Sequence, residues 1–145
     1  MKDAAGPLVV HGTAVAFGGR GLLILGASGT GKSTLALALV RAGAALVADD
    51  RVELVRRGKA LVARPPAATV GLIEARGLGI LRLPVQSEAV VTLVVDLDRA
   101  PAARMPQGAT IRYLEVAVEL IFGRGIPTLD HALTIIVQNG RAFPD

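Results

Sequence analysis

Nine residues limit what this chain can fold into more than any others: Gly26-Ala27-Ser28-Gly29-Thr30-Gly31-Lys32-Ser33-Thr34. They fit G-x-x-x-x-G-K-[ST], with the apolar run Leu22-Leu23-Ile24-Leu25 before them and the helix-forming run Leu35 to Val40 after. A buried strand that delivers a glycine loop to a helix N-terminus is the setting in which such a loop holds phosphate. The glycines let the backbone curl until its N–H groups converge on anionic oxygens, and the helix dipole adds to the attraction. Lys32 would reach the β- and γ-phosphates, and the Ser33 hydroxyl would sit on Mg²⁺. A Gly/Ser-rich turn that merely caps a helix leaves the Lys-Ser pair unexplained. The expected ligand is a nucleoside triphosphate or a similar polyphosphate, and all nine residues are candidates to touch it.

The rest of the composition supports one compact α/β domain over residues 1–145. Hydrophobic residues make up 52% and charged residues 19%, which excludes disorder as the main state. With no cysteine there is neither a disulfide framework nor a thiolate metal site. Met1 to Pro7 lacks the basic-then-apolar pattern of a signal peptide, and no apolar run approaches a membrane span, so a soluble cytoplasmic protein is expected. The formal charge of +4 raises the question of nucleic acid. Arg56, Arg57, Lys59 and Arg64 flank Gly58 with no aromatic among them, and Phe17, Tyr113, Phe122 and Phe143 are too scattered to stack bases. A basic surface serving phosphates or an acidic partner is the simpler reading, with no nucleic acid and no membrane as partners.

Periodicity predicts many strands and few helices. Thr13 to Phe17 and Leu22 to Leu25 read as strands around a turn at Gly18 to Gly21, and Ser33 to Ala42 reads as a helix stopped by Gly43. Ala44 to Ala48 is an apolar strand ending on Asp49-Asp50. Val52 to Val55 and Ala60 to Ala63 predict a hairpin around Arg57-Gly58 that Pro65-Pro66 ends. Val90 to Leu97 is a strand, Thr110 to Phe122 fits strand or helix, and Leu129 to Gln138 reads as a closing helix despite its β-branched Thr134-Ile135-Ile136-Val137.

A phosphate loop does not by itself name a reaction, so the acidic groups decide. Ordinary P-loop enzymes place an Asp at the end of an apolar strand to hold Mg²⁺. Two segments fit: Leu93-Val94-Val95-Asp96 with Asp98 nearby, and Leu46-Val47-Ala48-Asp49-Asp50. Paired carboxylates can divide labour, one holding metal and the other accepting a proton from an incoming hydroxyl. Adjacent strand residues face opposite ways, so both reach one site only if the strand has ended. A solvated turn is the plainer reading of the same dipeptide.

Four elements in order carry a resemblance to a family: His11-Gly12, the loop Gly26 to Ser33, Ala48-Asp49-Asp50-Arg51-Val52, and Ile73-Glu74-Ala75-Arg76-Gly77-Leu78-Gly79-Ile80. Over residues 11 to 80 the chain resembles the catalytic domain of HPr kinase/phosphorylase. The resemblance implies a P-loop fold similar to the nucleotide-binding part of phosphoenolpyruvate carboxykinase, a strand-rich mixed sheet with a P-loop helix. It implies ATP and Mg²⁺ as cofactors and, as partner, HPr, the small phosphocarrier protein of the phosphotransferase system, phosphorylated on a serine. It also implies a reverse phosphorolysis that releases pyrophosphate, and a hexamer as the family's usual assembly. Carried over by position, Asp49 is the base toward the serine, with His11 beside it. Asp50 and Glu74 join Ser33 at Mg²⁺, and Arg76 neutralises phosphate charge. Glu74 and Arg76 are expected to alternate on one strand face, and His131 to be structural. The chain resembles the short forms of some alphaproteobacteria, without the extra N-terminal domain of longer members. Leu81 to Glu88 is shorter than the family's flexible basic loop, which leaves phosphorolysis open. Two other readings stay open: a small P-loop kinase or NTPase with Asp96 as the metal-site acid, and a nucleotide- or phosphate-sensing module that binds without turnover.

Overall fold

Leu22, Leu23 and Ile24 are all fully buried, which three consecutive side chains on a strand achieve only when both faces of the sheet are covered. The computed structural model describes residues 6–67, 71–104 and 108–141. It begins with β1 (Leu8–His11), β2 (Thr13–Phe17), β3 (Arg20–Leu25) and α1 (Lys32–Arg41). Then come β4 (Ala45–Ala48), β5 (Arg51–Arg57), β6 (Ala60–Arg64), β7 (Leu72–Ala75), β8 (Gly79–Arg82) and β9 (Ala89–Asp96). β10 (Ala109–Tyr113), β11 (Val116–Phe122) and α2 (Leu129–Asn139) follow.

Nine strands form one mixed sheet in the order β1-β5-β6-β9-β3-β2-β4, with β11 beside β9 and β10 beside β11. β3 and β11 both run parallel to β9; the other pairs are antiparallel. This is the α/β, strand-rich mixed sheet with a P-loop helix that the sequence predicts. Leu22, Ile24, Leu93 and Val95 join Leu35, Leu39, Leu133 and Val137 of the two helices in one apolar cluster. Leu23 and Val94 point the other way, into a second cluster with Val47, Leu54, Leu61 and Val118. Among the described residues no helix is long and apolar enough to cross a membrane.

The sheet curls, and the curl makes the corner on which the site is built. β4 lies at one end of the strand order and β5 near the other, yet only Asp49 and Asp50 separate them in sequence. β1 and β2 repeat this arrangement, with Gly12 alone between them. The two crossings run antiparallel to each other. His11 is opposite Arg51 on one side and Ala14 is opposite Ala48 on the other, so Gly12 falls across from Asp50 and Thr13 across from Asp49. Only glycine fits at position 12, because a Cβ there would lie 2.7 Å from the Ile24 carbonyl oxygen.

Three local readings are refined. The open segment 110–122 is a β10–β11 hairpin that turns on Leu114 and Glu115, both at positive φ (51° and 68°). The closing helix is present as α2, its β-branched run held by burial of Leu133 and Val137 against the cluster beneath α1. Arg76 does not share a strand face with Glu74, since β7 ends at Ala75 and Arg76 lies in the turn to β8.

Candidate active site

Three segments meet around a cleft of about 660 Å³: the loop from Ser28 into α1, the corner made by His11, Thr13, Asp49 and Asp50, and the β7–β8 hairpin with Glu74, Ala75 and Arg76. The loop leaves β3 and enters α1 through Gly31, whose φ of 101° is left-handed and open to glycine without strain. No side chain caps the helix, and no acidic residue lies in its first turn, so the backbone N–H groups of α1 face the cleft uncontested by a carboxylate of their own helix. Lys32 is 9% exposed, and its ammonium donates to the carbonyl oxygens of Gly26 at 2.7 Å and Ala27 at 3.0 Å. The Thr30 hydroxyl closes the loop's far side by donating to Ala27 O at 2.7 Å. Gly26, Ala27 and Thr30 build the loop, while Ser28, Gly29, Gly31, Lys32, Ser33 and Thr34 line the cleft itself.

The carboxylates reach the same cleft because the strand pattern breaks between them. Asp50 has φ of 72°, and Arg51 N–H donates back to Asp49 O at 2.8 Å, so β4 has ended before the pair is placed. Gly12 N–H donates to Asp50 O at 3.2 Å, and the Thr13 hydroxyl donates to Asp49 Oδ1 at 2.8 Å. His11 Nδ1 lies 3.5 Å from Asp50 Oδ1, with both side chains more than half exposed. His11 and Asp49 line the same cleft, but the carboxylate in contact with His11 is Asp50, while Asp49 is engaged by Thr13, across from it in the corner. An exposed pair of this kind adds little to stability. Its interest is chemical, since an imidazole against a carboxylate is an arrangement suited to moving a proton.

Glu74 and Arg76 both line the cleft from the hairpin, although Arg76 does so from the turn. Asp96 and Asp98 are occupied elsewhere. Asp96 Oδ1 accepts from Asp98 N–H at 2.8 Å, and the Asp98 carboxylate accepts from Ala27 N–H at 3.0 Å, so these acids brace the loop from its first residues and do not line the cleft. His131 is exposed, 3.6 Å from Asp130 on α2 and away from the cleft residues.

Sequence reasoning passed over Thr13. Its hydroxyl is one step along the strand from the Gly12 that carries the motif, and only the cross-strand register brings it to Asp49. Among the described residues no cluster of three or more His, Cys, Asp or Glu side chains forms a metal cage. Mg²⁺ is commonly held by one or two carboxylates together with substrate phosphates, so a carboxylate pair beside a phosphate loop is a donor set that fits it. Ser33, Asp49, Asp50 and Glu74 bring side-chain oxygens to the lining of one cleft.

Residues 3–119 match the family model described as the HPr Serine kinase C-terminal domain. The HPr kinase/phosphorylase of Clostridium acetobutylicum is 41% identical over 97 residues, covering 62% of this chain and 32% of that protein. That of Listeria welshimeri is 42% identical over 107 residues, covering 68% of this chain and 34% of that protein. The chain thus spans about a third of the length of these curated relatives. A solved structure, the Hpr(Ser) kinase/phosphatase from Coxiella burnetii, superposes with a TM-score of 0.75 at 26% identity, covering 91% of this chain and 89% of that one. With most of the chain matched by the family model and the loop, corner and hairpin all in place around one cleft, this chain belongs to the HPr Serine kinase C-terminal domain family.

Proposed function

We propose that this chain is an ATP- and Mg²⁺-dependent protein-serine kinase acting on HPr. One observation carries the reading: a P-loop Lys-Ser pair and two adjacent carboxylates face one cleft, and one of those carboxylates is set against an imidazole. The rival with Asp96 as metal acid loses support because Asp96 is bonded to the backbone at Asp98.

In this mechanism Lys32 exchanges its loop carbonyls for phosphate oxygens, and the N–H groups at the start of α1 hold the polyphosphate. Ser33 and Asp49, with Glu74 nearby, would hold Mg²⁺, which when bound would supply neutralisation of phosphate charge. Asp50, rather than Asp49, is the general base: it takes the proton of the incoming serine hydroxyl while the serine oxygen bonds to the γ-phosphorus and ADP departs. His11, with Nδ1 turned toward Asp50 Oδ1, orients the carboxylate toward the incoming hydroxyl. Arg76, on the hairpin rim, balances the charge of the transferred group. In phosphorolysis, named for the curated relatives, the same Asp50 would return the proton to serine as phosphate attacks.

The test is incubation with ATP, Mg²⁺ and HPr, followed by intact mass of HPr. One phosphate on a serine is expected. Asp50→Asn should lower transfer by about 10²–10⁴-fold with nucleotide binding kept, the usual contribution of a general base. Asp49→Asn should instead raise the Mg²⁺ concentration needed. Unmodified HPr in the presence of tightly bound nucleotide would sink the kinase reading in favour of a sensor or another substrate. Full transfer by Asp50→Asn would return the base to Asp49.

A further inference from the structure

Among the described residues only two polar or charged residues are buried, Thr13 and Lys32, and both line the cleft. Lys32 belongs to the phosphate loop. Thr13 is 1% exposed, on a strand held between β3 and β4, where an apolar β-branched residue would pack equally well. A buried hydroxyl is unfavourable unless it is bonded, and this one donates to Asp49 Oδ1 at 2.8 Å.

We propose that Thr13 is a positioning residue for the metal site, holding the Asp49 carboxylate in the one orientation in which it meets a divalent cation at the phosphate loop. This rests on the reading of Asp49 as a cation ligand. The strand supplies the rigidity: Thr13 pairs with Ile24 of β3, one residue before the strand's end and the loop, so hydroxyl and phosphate cradle hang from the same pair of strands. Asp49 itself follows the last residue of β4 and precedes a residue at positive φ, so its backbone is a turn and its side chain needs an external hold. Metal ligands held by a second layer of hydrogen bonds commonly lose affinity when that layer is removed.

The test reads Mn²⁺, standing in for Mg²⁺, by electron paramagnetic resonance on the full chain with a non-hydrolysable ATP analogue and no HPr. Thr13→Val, which replaces the hydroxyl by a methyl of similar size, should weaken Mn²⁺ binding by about tenfold, the lower end of the usual loss on removing such a partner. Its melting temperature should hold or rise, since a buried hydroxyl has been replaced by an apolar group. Thr13→Ser should bind Mn²⁺ as the wild type does. In an Asp49→Ala background, Thr13→Val should cause no further loss. If Thr13→Val does not fold, Thr13→Ala serves as the hydroxyl-free variant, read against Thr13→Ser. Wild-type affinity in the hydroxyl-free variant, an equal loss in Thr13→Ser, or a loss that persists without Asp49 would each overturn the proposal. Because HPr is absent, failure of the kinase reading shows up separately, in the mass of HPr.

Discussion

Replacing Gly12 with alanine tests whether the corner is as tightly built as its geometry implies. A Cβ at position 12 would stand 2.7 Å from the Ile24 carbonyl oxygen and 3.3 Å from Leu25 Cδ2. Carbon and oxygen rarely approach closer than about 3.3 Å, so the two strands must part by roughly half an ångström or more. Ile24 has no room to retreat, being fully buried and paired with Thr13 on one side and Val95 on the other. Overpacking of that order costs about 1–3 kcal/mol. For a domain of this size each kcal/mol lowers the melting temperature by about 2–4 °C, so a fall of about 2–12 °C is expected. Gly19→Ala is the control: it lies in the turn after β2, and a Cβ there meets nothing within 4 Å. Thermal and urea melts of the two variants should therefore separate cleanly. Transfer should fall further in Gly12→Ala than the loss of folded protein explains, because Gly12 N–H holds Asp50 O at 3.2 Å. Melting together with Gly19→Ala, at wild-type activity, would refute both the close packing and its link to the carboxylates.

Two other perturbations probe parts away from the corner. Leu39, fully buried on α1 in the cluster with Leu22, Leu46 and Leu133, should cost about 2–5 kcal/mol as Leu39→Ala; a midpoint no lower than that of Leu78→Ala, at a site 82% exposed, would mean that α1 is not docked as described. The chain's one tyrosine, Tyr113, has its phenol pKa raised, first by burial and then by the charge of Asp96. A raised folded pKa contributes stability below the unfolded value of about 10 that is lost as pH rises through the folded value. Phenolate absorbance should therefore appear above that reference and move back toward it in Asp96→Asn; a midpoint at or below the reference would contradict the burial of the Tyr113 ring.

The loop, its strand and its helix were legible because three signals coincide there: a continuous apolar run, glycines at fixed offsets, and a helix of strong formers stopped at Gly43. The β5–β6 hairpin was legible from Gly58 in the same way. The β10–β11 hairpin was not, since its turn residues at positive φ are Leu114 and Glu115, and neither announces a turn as Asn-Gly would. Tertiary packing on β9, not local propensity, fixes that turn. The partner of His11 was illegible for a related reason. Asp49 and Asp50 are equivalent by sequence spacing, and only the register of β1 with β5 and of β2 with β4 sets His11 nearer the second and Thr13 across from the first.

The same topology explains why the proposed acids lie where they do. β9 runs parallel beside β3 and sets Asp96 opposite Leu25, next to the loop, which is the position a P-loop enzyme ordinarily uses for its metal acid. In this chain that flank is occupied by the backbone turn that braces the loop: Asp96 holds Asp98, Asp98 holds Ala27, and Leu97 N–H bonds Leu25 O at 2.9 Å. The other flank of β3 carries β2 and then β4, whose antiparallel pairing sets the end of β4 beside the start of β2. Two adjacent carboxylates on a continuing strand would point to opposite faces. Ending β4 before Asp49 and turning the backbone left-handed at Asp50 brings both to one cleft, at the strain of a non-glycine residue at positive φ, which aspartate tolerates better than most. A sheet that instead ran straight from β4 to a parallel neighbour would present a single carboxylate at that position. The division of labour proposed between a metal-holding Asp49 and a proton-accepting Asp50 therefore depends on the corner at Gly12 as much as on the carboxylates themselves.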